Sequence, residues 1–106
     1  MIDGAATVER LRERIATVDR RRDPHEHATL AYRQGLAHAE ATSAEPQENL
    51  RTALQWYDRA LEGFDAVYDP VPHARVLNAV GAALRSLGRL PDAIARFEKA
   101  STLLQG

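Results

Sequence analysis

The five prolines of this 106-residue chain divide it into helical segments. Each proline stands at or just before the start of a segment whose apolar residues recur every three to four positions, and none interrupts such a pattern. Proline is tolerated in the first helical turn but breaks a helix interior or a central strand. Apolar and polar residues alternate over no more than a few positions. The sequence therefore predicts an all-α fold.

Five helices follow from this punctuation, and Asp3 is the predicted N-cap of the first. Asp23 and Glu26 have the spacing of a capping box at the second helix. The third helix has the clearest 3.6-residue periodicity, from Leu50 to Val67. Gly88 is placed as the C-cap glycine of the fourth. We expect four of the helices near residues 5–20, 24–42, 46–69 and 91–104, and the fourth helix from Pro70 or Pro72 to residue 87.

Two parts of the chain repeat a pattern. An A-x3-Y-x2-A motif begins at Ala53, and an A-x3-F-x2-A motif begins at Ala93, an offset of 40 residues. A weaker match relates Gly35 to Gly81, an offset of 46. Sequence periods of 20–50 residues indicate stacked helical hairpins, and periods of 40 to 46 occur in several helical-repeat families.

The second unit has the spacings of one such family. Its first helix reads L-x2-V-G-x2-L from Leu77 to Leu84, where the tetratricopeptide repeat has W-x2-L-G-x2-Y. The motif at Ala93 matches the second helix of that repeat. Residues 74–106 therefore resemble a tetratricopeptide repeat. The first unit reads A-x2-Q-G-x2-H from Ala31 and keeps the glycine, but it carries insertions and is degenerate.

The resemblance implies a single domain with two stacked helix–turn–helix hairpins. Small residues such as Gly81 and Ala93 would let the paired helices approach closely, while Leu84 and Phe97 fill the wider gaps between them. The expected parts of the domain, residues 1–106, are an N-terminal capping helix (1–22), a degenerate repeat (23–69) and a better-matched repeat (70–106).

The resemblance also implies a binding groove, because the exposed face of each first helix lines a concave surface that takes up peptides in this family. Arg75 and Asn78 resemble the basic and asparagine side chains that hold a peptide carboxylate in several members. An arginine fork suits a carboxylate. The residues that map to the groove are Thr29, Tyr32, Arg33 and Leu36 on the second helix and Arg75, Asn78, Ala82 and Arg85 on the fourth.

The two ends of the array offer a second kind of surface. A narrow apolar stripe on the first helix either folds back onto the second helix as a cap or makes an isologous dimer contact. The last helix has no following helix in this sequence to cover it, so it is a second candidate for a homodimer contact. The candidate oligomer residues are Val8, Leu11, Ile15, Val18, Ile94, Leu103 and Leu104.

Catalytic and metal-binding patterns are sparse. The chain has no cysteine, which excludes disulfides and thiolate chemistry. His25 and His27 flank Glu26, but residues two apart on a helix point to different faces, and no H-E-x-x-H pattern is present. No serine lies in a G-x-S-x-G turn, and no glycine-rich phosphate loop occurs. We predict a non-enzymatic protein with no cofactor and no metal.

Charge and hydropathy narrow the choice of partner. The net charge of −1 gives no bulk attraction to nucleic acid or anionic lipid. No apolar run approaches the ~20 residues that span a bilayer, and the start does not resemble a signal peptide. We expect a cytoplasmic interaction module for a protein or peptide partner, with no membrane partner. The alternatives are a self-assembling structural protein and, least favoured, a nucleic-acid-associated domain.

The nucleic-acid alternative depends on arginines near the N-terminus. Glu9, Glu13 and Asp19 are interleaved with them, which weakens a basic patch, and basic residues at a helix C-terminus also complement the helix dipole. The arginines concerned are Arg10, Arg12, Arg14, Arg20, Arg21 and Arg22.

Overall fold

The computed structural model describes residues 4–41 and 45–105. The predicted N-cap of the first helix, Asp3, and the predicted end of the second helix, Thr42, lie outside the described residues. The described residues form helices and no strand, which confirms the all-α prediction. The five helices are α1 (Gly4–Thr17), α2 (Pro24–Glu40), α3 (Pro46–Gly63), α4 (Pro70–Ser86) and α5 (Leu90–Gln105).

The helices pair as predicted, into one N-terminal helix and two hairpins. The most extensive contacts lie between α2 and α3 and between α4 and α5. Smaller contacts join α1 to α2 and α3 to α4, so each hairpin packs on the element before it. The core is continuous across these contacts, with Ala28, Tyr57 and Val76 almost wholly buried.

A glycine faces an aromatic ring at the same place in both hairpins. A Cβ added to Gly35 would lie 2.6 Å from Cδ1 of Tyr57, and one added to Gly81 would lie 2.6 Å from Cε1 of Phe97. Real Cβ atoms do not approach a ring so closely, so only glycine fits at either position. The sequence matches of Gly35 with Gly81 and of Tyr57 with Phe97 therefore correspond to one repeated packing contact.

The turn that ends α4 is the glycine C-cap that the sequence predicts. Gly88 adopts a φ of 81°, in the left-handed region that suits glycine. Its N–H donates to the carbonyl of Arg85 (3.0 Å), and the N–H of Arg89 donates to the carbonyl of Leu84 (2.9 Å). These two bonds form a Schellman motif, which satisfies the last carbonyls of the helix.

Two helices end earlier than predicted, because an aspartate takes over the backbone donors that follow. In α1 the helix ends at Thr17 rather than Arg20, and Asp19 Oδ1 accepts hydrogen bonds from the N–H groups of Arg21 (2.9 Å) and Arg22 (3.4 Å). Such aspartate turns compete with the helical hydrogen bonds. The triplet Arg20–Arg22 thus lies in the α1–α2 turn.

The end of α3 was also predicted wrongly, at residue 69 instead of Gly63. Asp65 Oδ1 accepts hydrogen bonds from the N–H groups of Val67 (2.7 Å) and Tyr68 (3.0 Å). These bonds lower the pKa of Asp65, since they favour its ionised form. Val67 therefore does not continue the buried stripe, and 78% of its surface is exposed.

The predicted capping box at α2 does not form. Asp23 is the N-cap residue, but its side chain makes no capping hydrogen bond. Its backbone has a φ of −125° and a ψ of 64°, and Glu45 and Asp69, which also precede a proline, have nearly the same angles. Proline disfavours the helical conformation in the residue before it. Proline at the first helical position, rather than a side-chain cap, is thus the shared start of α2, α3 and α4.

The apolar stripe of α1 lies against α2. Val8 and Ile15 are buried, and Leu11 and Val18 pack on the core while partly exposed. Within the chain the stripe of α1 thus lies against α2, and a dimer contact through this helix stays a prediction.

The α1–α2 contact also holds polar groups. Gln34 is wholly buried, and its Nε2 lies 3.4 Å from Nε2 of His38, while its Oε1 has no hydrogen-bond partner among the described residues. Burial lowers the pKa of His38, and the positive charge of Arg12 on α1 lowers it further. The neutral form of His38 is therefore favoured in the folded chain.

We predict that Gly81→Leu destabilises the fold by about 1–3 kcal/mol, because the new side chain overpacks against the Phe97 ring. Chemical denaturation measures the free energy of unfolding. Ala95→Leu, on the exposed side of α5, is the matched control and should leave stability nearly unchanged. A Gly81→Leu protein as stable as the parent would contradict the contact described.

Acid should destabilise the fold partly through His38. Its folded pKa lies below the ordinary value of 6.5, so the unfolded chain binds the extra proton first and stability is lost as pH falls below that value. Thermal unfolding from about pH 8 to about pH 5 measures this loss. His38→Gln should flatten the dependence, and an unchanged pH profile in this variant would refute the assignment.

Candidate functional site

A pocket of about 280 Å³ opens where the starts of α2 and α4 meet the end of α3. It is mostly apolar inside, with a few polar groups at its rim. Its lining residues are His25, Thr29, Tyr32, Phe64, Asp69, Pro72 and Arg75.

Three of the eight predicted groove residues, Thr29, Tyr32 and Arg75, line this pocket. The other residues predicted on α4 continue from Arg75 at spacings of three or four, which places them on one helix face. The predicted groove residues that do not line the pocket are Arg33 and Leu36 on α2 and Asn78, Ala82 and Arg85 on α4.

The remaining lining residues were missed by sequence reasoning. Phe64 and Asp69 bound the α3–α4 connection, which the sequence analysis placed within helix three. The sequence signal that could have revealed this connection is Asp65. It stands two residues before Val67 and three before Tyr68, which is the spacing of an aspartate turn. His25 was missed because the sequence analysis considered it only as a metal ligand. Among the described residues, no group of three potential metal-binding side chains occurs.

The floor of the pocket rests on the core of the first hairpin. The ring of Tyr32 lies against that of Tyr57, with centroids 6.0 Å apart and a tilt of 45°. Tyr57 is the residue that occupies the space left by Gly35. Burial raises the pKa of Tyr57 above its ordinary value, so it stays uncharged. The glycine contact thus supports a residue that lines the pocket.

Two histidine hydrogen bonds brace the other side. His25 Nε2 lies 2.8 Å from Oδ2 of Asp69, which joins α2 to the start of α4, and its ring also lies 6.0 Å from that of Phe64. His73 Nδ1 lies 2.6 Å from the carbonyl oxygen of Phe64. Because a carbonyl can only accept, Nδ1 of His73 carries the proton and donates. The first bond holds the start of α2 against the start of α4, and the second holds the end of α3 against α4.

Arg75 is the cation of the pocket that remains available. It is exposed and forms no ion pair among the described residues, whereas Asp69 is already engaged by His25. Burial raises the pKa of Tyr32, and the charge of Arg75 acts on it in the opposite direction. The guanidinium therefore lies close enough to act on the Tyr32 hydroxyl. The pocket combines an aromatic floor with an unpaired positive charge.

Several of the arginines considered for nucleic acid are paired instead. Arg12 lies 3.6 Å from Glu9, Arg22 lies 3.7 Å from Asp19, and Arg20 bonds Glu62 on α3. These exposed pairs add little stability. They do, however, offset half of the six positive charges that the sequence suggested as a basic patch.

The candidate oligomer residues on α5 differ in exposure. Ile94 and Leu104 are each 54% exposed. Leu103 is half-buried, and it packs against the buried cluster of Ala74, Leu77 and Ala100. The apolar area of α5 that remains open to a partner thus lies mainly on Ile94 and Leu104 and on Leu90, which the sequence analysis did not single out.

Comparison with known families agrees with this architecture. The family model described as "Tetratricopeptide repeat" matches residues 41–106, which is more than half of the chain. The chain belongs to the tetratricopeptide-repeat family. Neither the search of curated proteins nor that of solved structures gave a match.

Membership in this family indicates a general kind of function. Tetratricopeptide repeats are typically non-catalytic modules for protein–protein interaction. The match covers α3, α4 and α5, and so includes Arg75 and the α3–α4 connection, while α1 and α2 lie before it. Among the described residues, no helix is both long and apolar enough to cross a membrane.

We predict that His73→Ala destabilises the chain by about 0.5–1.5 kcal/mol, the usual worth of one hydrogen bond, because the Phe64 carbonyl loses its donor. Thermal or chemical denaturation gives the difference. His73→Asn retains a donor group and should recover part of the loss. Equal stability of the parent and the alanine variant would show that the bond does not brace the pocket.

Proposed function

We propose that this tetratricopeptide-repeat chain is a non-enzymatic module that binds a peptide segment of a partner protein in the groove between α2 and α4. The observation that carries the proposal is an arginine, Arg75, that lines a pocket with an aromatic floor and has no ion-pair partner among residues 4–41 and 45–105. The segment that fits has an apolar side chain next to a carboxylate.

The size of the pocket favours a side chain over a metabolite. Its volume of about 280 Å³ lies just below the ~300–1,000 Å³ that is usual for small-molecule sites. The rings of Tyr32 and Phe64 give an apolar floor for one side chain. The adjoining faces of α2 and α4 then give a peptide room to continue.

The charge of the pocket favours an acidic group on the peptide. Asp69 is paired with His25, so its charge competes less for the guanidinium of Arg75. A carboxylate can accept two parallel hydrogen bonds from an arginine fork. Such a contact adds specificity as well as affinity, because lysine cannot reproduce its planar geometry.

The rest of the predicted groove would extend the contact along α4. Asn78 is exposed one turn after Arg75, and Arg85 is exposed two turns further on. An asparagine side chain can both donate to and accept from an extended peptide backbone. We therefore propose Thr29, Tyr32 and Arg75 as the centre of the site. Its periphery would be Arg33, Leu36, Asn78, Ala82 and Arg85.

The other functions considered have different support. Nucleic-acid binding is weakened by the acidic partners of Arg12, Arg20 and Arg22. Self-assembly is favoured by the exposed apolar residues of α5, and it would use a surface distinct from the groove. We also propose a cytoplasmic location, which the lack of cysteine favours, since small secreted domains are often rich in disulfides.

A peptide pair tests the groove directly. One labelled peptide carries a central leucine flanked by glutamates, and its matched control carries glutamines instead. Fluorescence anisotropy measures their affinities. We expect the glutamate peptide to bind more tightly, and Arg75→Ala to weaken it by about tenfold or more, a loss of about 1.4 kcal/mol.

Arg51→Ala is the control variant, because Arg51 lies on α3, outside the pocket, and is paired with Glu48. It should leave the affinity unchanged. Equal binding of the two peptides, or equal losses in the Arg75 and Arg51 variants, would contradict recognition of a carboxylate by Arg75.

A further inference from the structure

The outer side of α5 carries an apolar stripe that solvent reaches. Leu90, Ile94 and Leu104 are 53%, 54% and 54% exposed, respectively. Together with Ser101 they follow the spacing i, i+4, i+11 and i+14, which places them on a single helix face. We define these four residues as the α5 face. It spans about 21 Å at 1.5 Å per residue.

The internal repeat indicates that the α5 face resembles a surface that is covered in the first hairpin. At the 40-residue offset, Leu90, Ile94 and Leu104 correspond to two residues of α3 and to its C-cap residue, all of which the protein covers. Leu50 and Leu54 are partly buried and pack on the core, and Phe64 is only 7% exposed. The residues that correspond to the α5 face are Leu50, Leu54 and Leu61 on α3 and the C-cap residue Phe64.

In α3 this face is covered by the next helix. Leu54 packs against the core cluster that includes Val80 and Leu84 of α4. Leu61 packs against the cluster that contains Ala74 and Leu77, also on α4. The equivalent face of α5 thus has the residue pattern of a helix–helix contact without the covering helix among the described residues.

We propose that the α5 face is a self-association surface, on which α5 of a second copy of this chain packs in antiparallel orientation. This surface is separate from the groove between α2 and α4, so the inference does not depend on the proposed peptide binding. A contact between two identical faces is isologous and closes as a dimer.

The pattern along α5 suits that arrangement. With the two-fold axis between Phe97 and Glu98, Ile94 of one copy faces Ser101 of the other, so a large residue meets a small one. The same axis brings Leu90 near Leu104 of the second copy. Alternation of large and small residues across facing helices lets them interdigitate. Ser101, which stands where α3 has Leu61, supplies the small partner.

The predicted dimer is weak. One helix face buries less than the ~800 Å² per partner of a standard interface. We therefore expect a dissociation constant of about micromolar or higher. The mass in solution should rise with concentration from that of the 11.7 kDa chain toward twice this value.

Sedimentation equilibrium over a range of concentrations tests the proposal. The double variant Ile94→Asp/Leu104→Asp should raise the dissociation constant by about tenfold or more. Val67→Asp is the matched control, because Val67 is 78% exposed but lies on the α3–α4 connection. It should associate as the parent does. A parent that is monomeric throughout, or a double variant that associates normally, would overturn the proposal.

Cross-linking tests the relative orientation of the two α5 helices in folded protein. Because the chain has no native cysteine, only the introduced thiols react. Ile94→Cys and Ser101→Cys chains are mixed and treated with a short thiol–thiol cross-linker, after circular dichroism confirms that both are helical. Random pairing of the two chains at equal concentration gives about twice as much mixed product as either self-linked product, so the antiparallel contact predicts a mixed product well above this twofold excess. A mixed product at or below that excess, or no product, would overturn the proposed contact.

Discussion

The close approach of a glycine to an aromatic ring sets the spacing between the paired helices, and it occurs in both hairpins. Gly35 makes room for Tyr57, and Gly81 makes room for Phe97. Around these contacts the alanines of the repeated motif are almost fully buried, namely Ala53, Ala60, Ala93 and Ala100. The chain is a short repeat array in which both hairpins have the same glycine–aromatic contact.

This spacing leads directly to the candidate site. Tyr57 can enter the first hairpin only because Gly35 has no side chain, and Tyr57 in turn supports the ring of Tyr32. Tyr32 then forms part of the pocket that Arg75 borders from α4. The glycine contact in the core thus supports Tyr32, a partly buried residue of the pocket. The histidine bonds at His25 and His73 fix the opposite wall.

Much of this architecture could be predicted from the sequence, because prolines, a glycine cap and apolar periodicity are local signals. They gave the five helices and the matching of Gly35 with Gly81. The ends of α1 and α3 were missed, since Asp19 and Asp65 capture backbone donors in turns that apolar periodicity does not reveal. Two residues of the pocket, Phe64 and Asp69, were missed for the same reason, because they bound the connection that contains Asp65.

The two surfaces of the chain differ in what they can offer a partner. The groove presents an unpaired charge beside aromatic rings, which suits a specific peptide, whereas the α5 face is apolar and suits another helix. A dimer through α5 would place two grooves in one particle. Linked sites of this kind raise overall avidity when the partner can reach both.

The central claim is that binding occurs at the pocket between α2 and α4, and amide chemical-shift mapping by NMR tests it most directly. The labelled chain is titrated with the glutamate-flanked leucine peptide. Binding at the pocket predicts that the largest shifts cluster at Thr29, Tyr32 and Arg75. Shifts confined to α5, or spread over the chain with no such cluster, would contradict it.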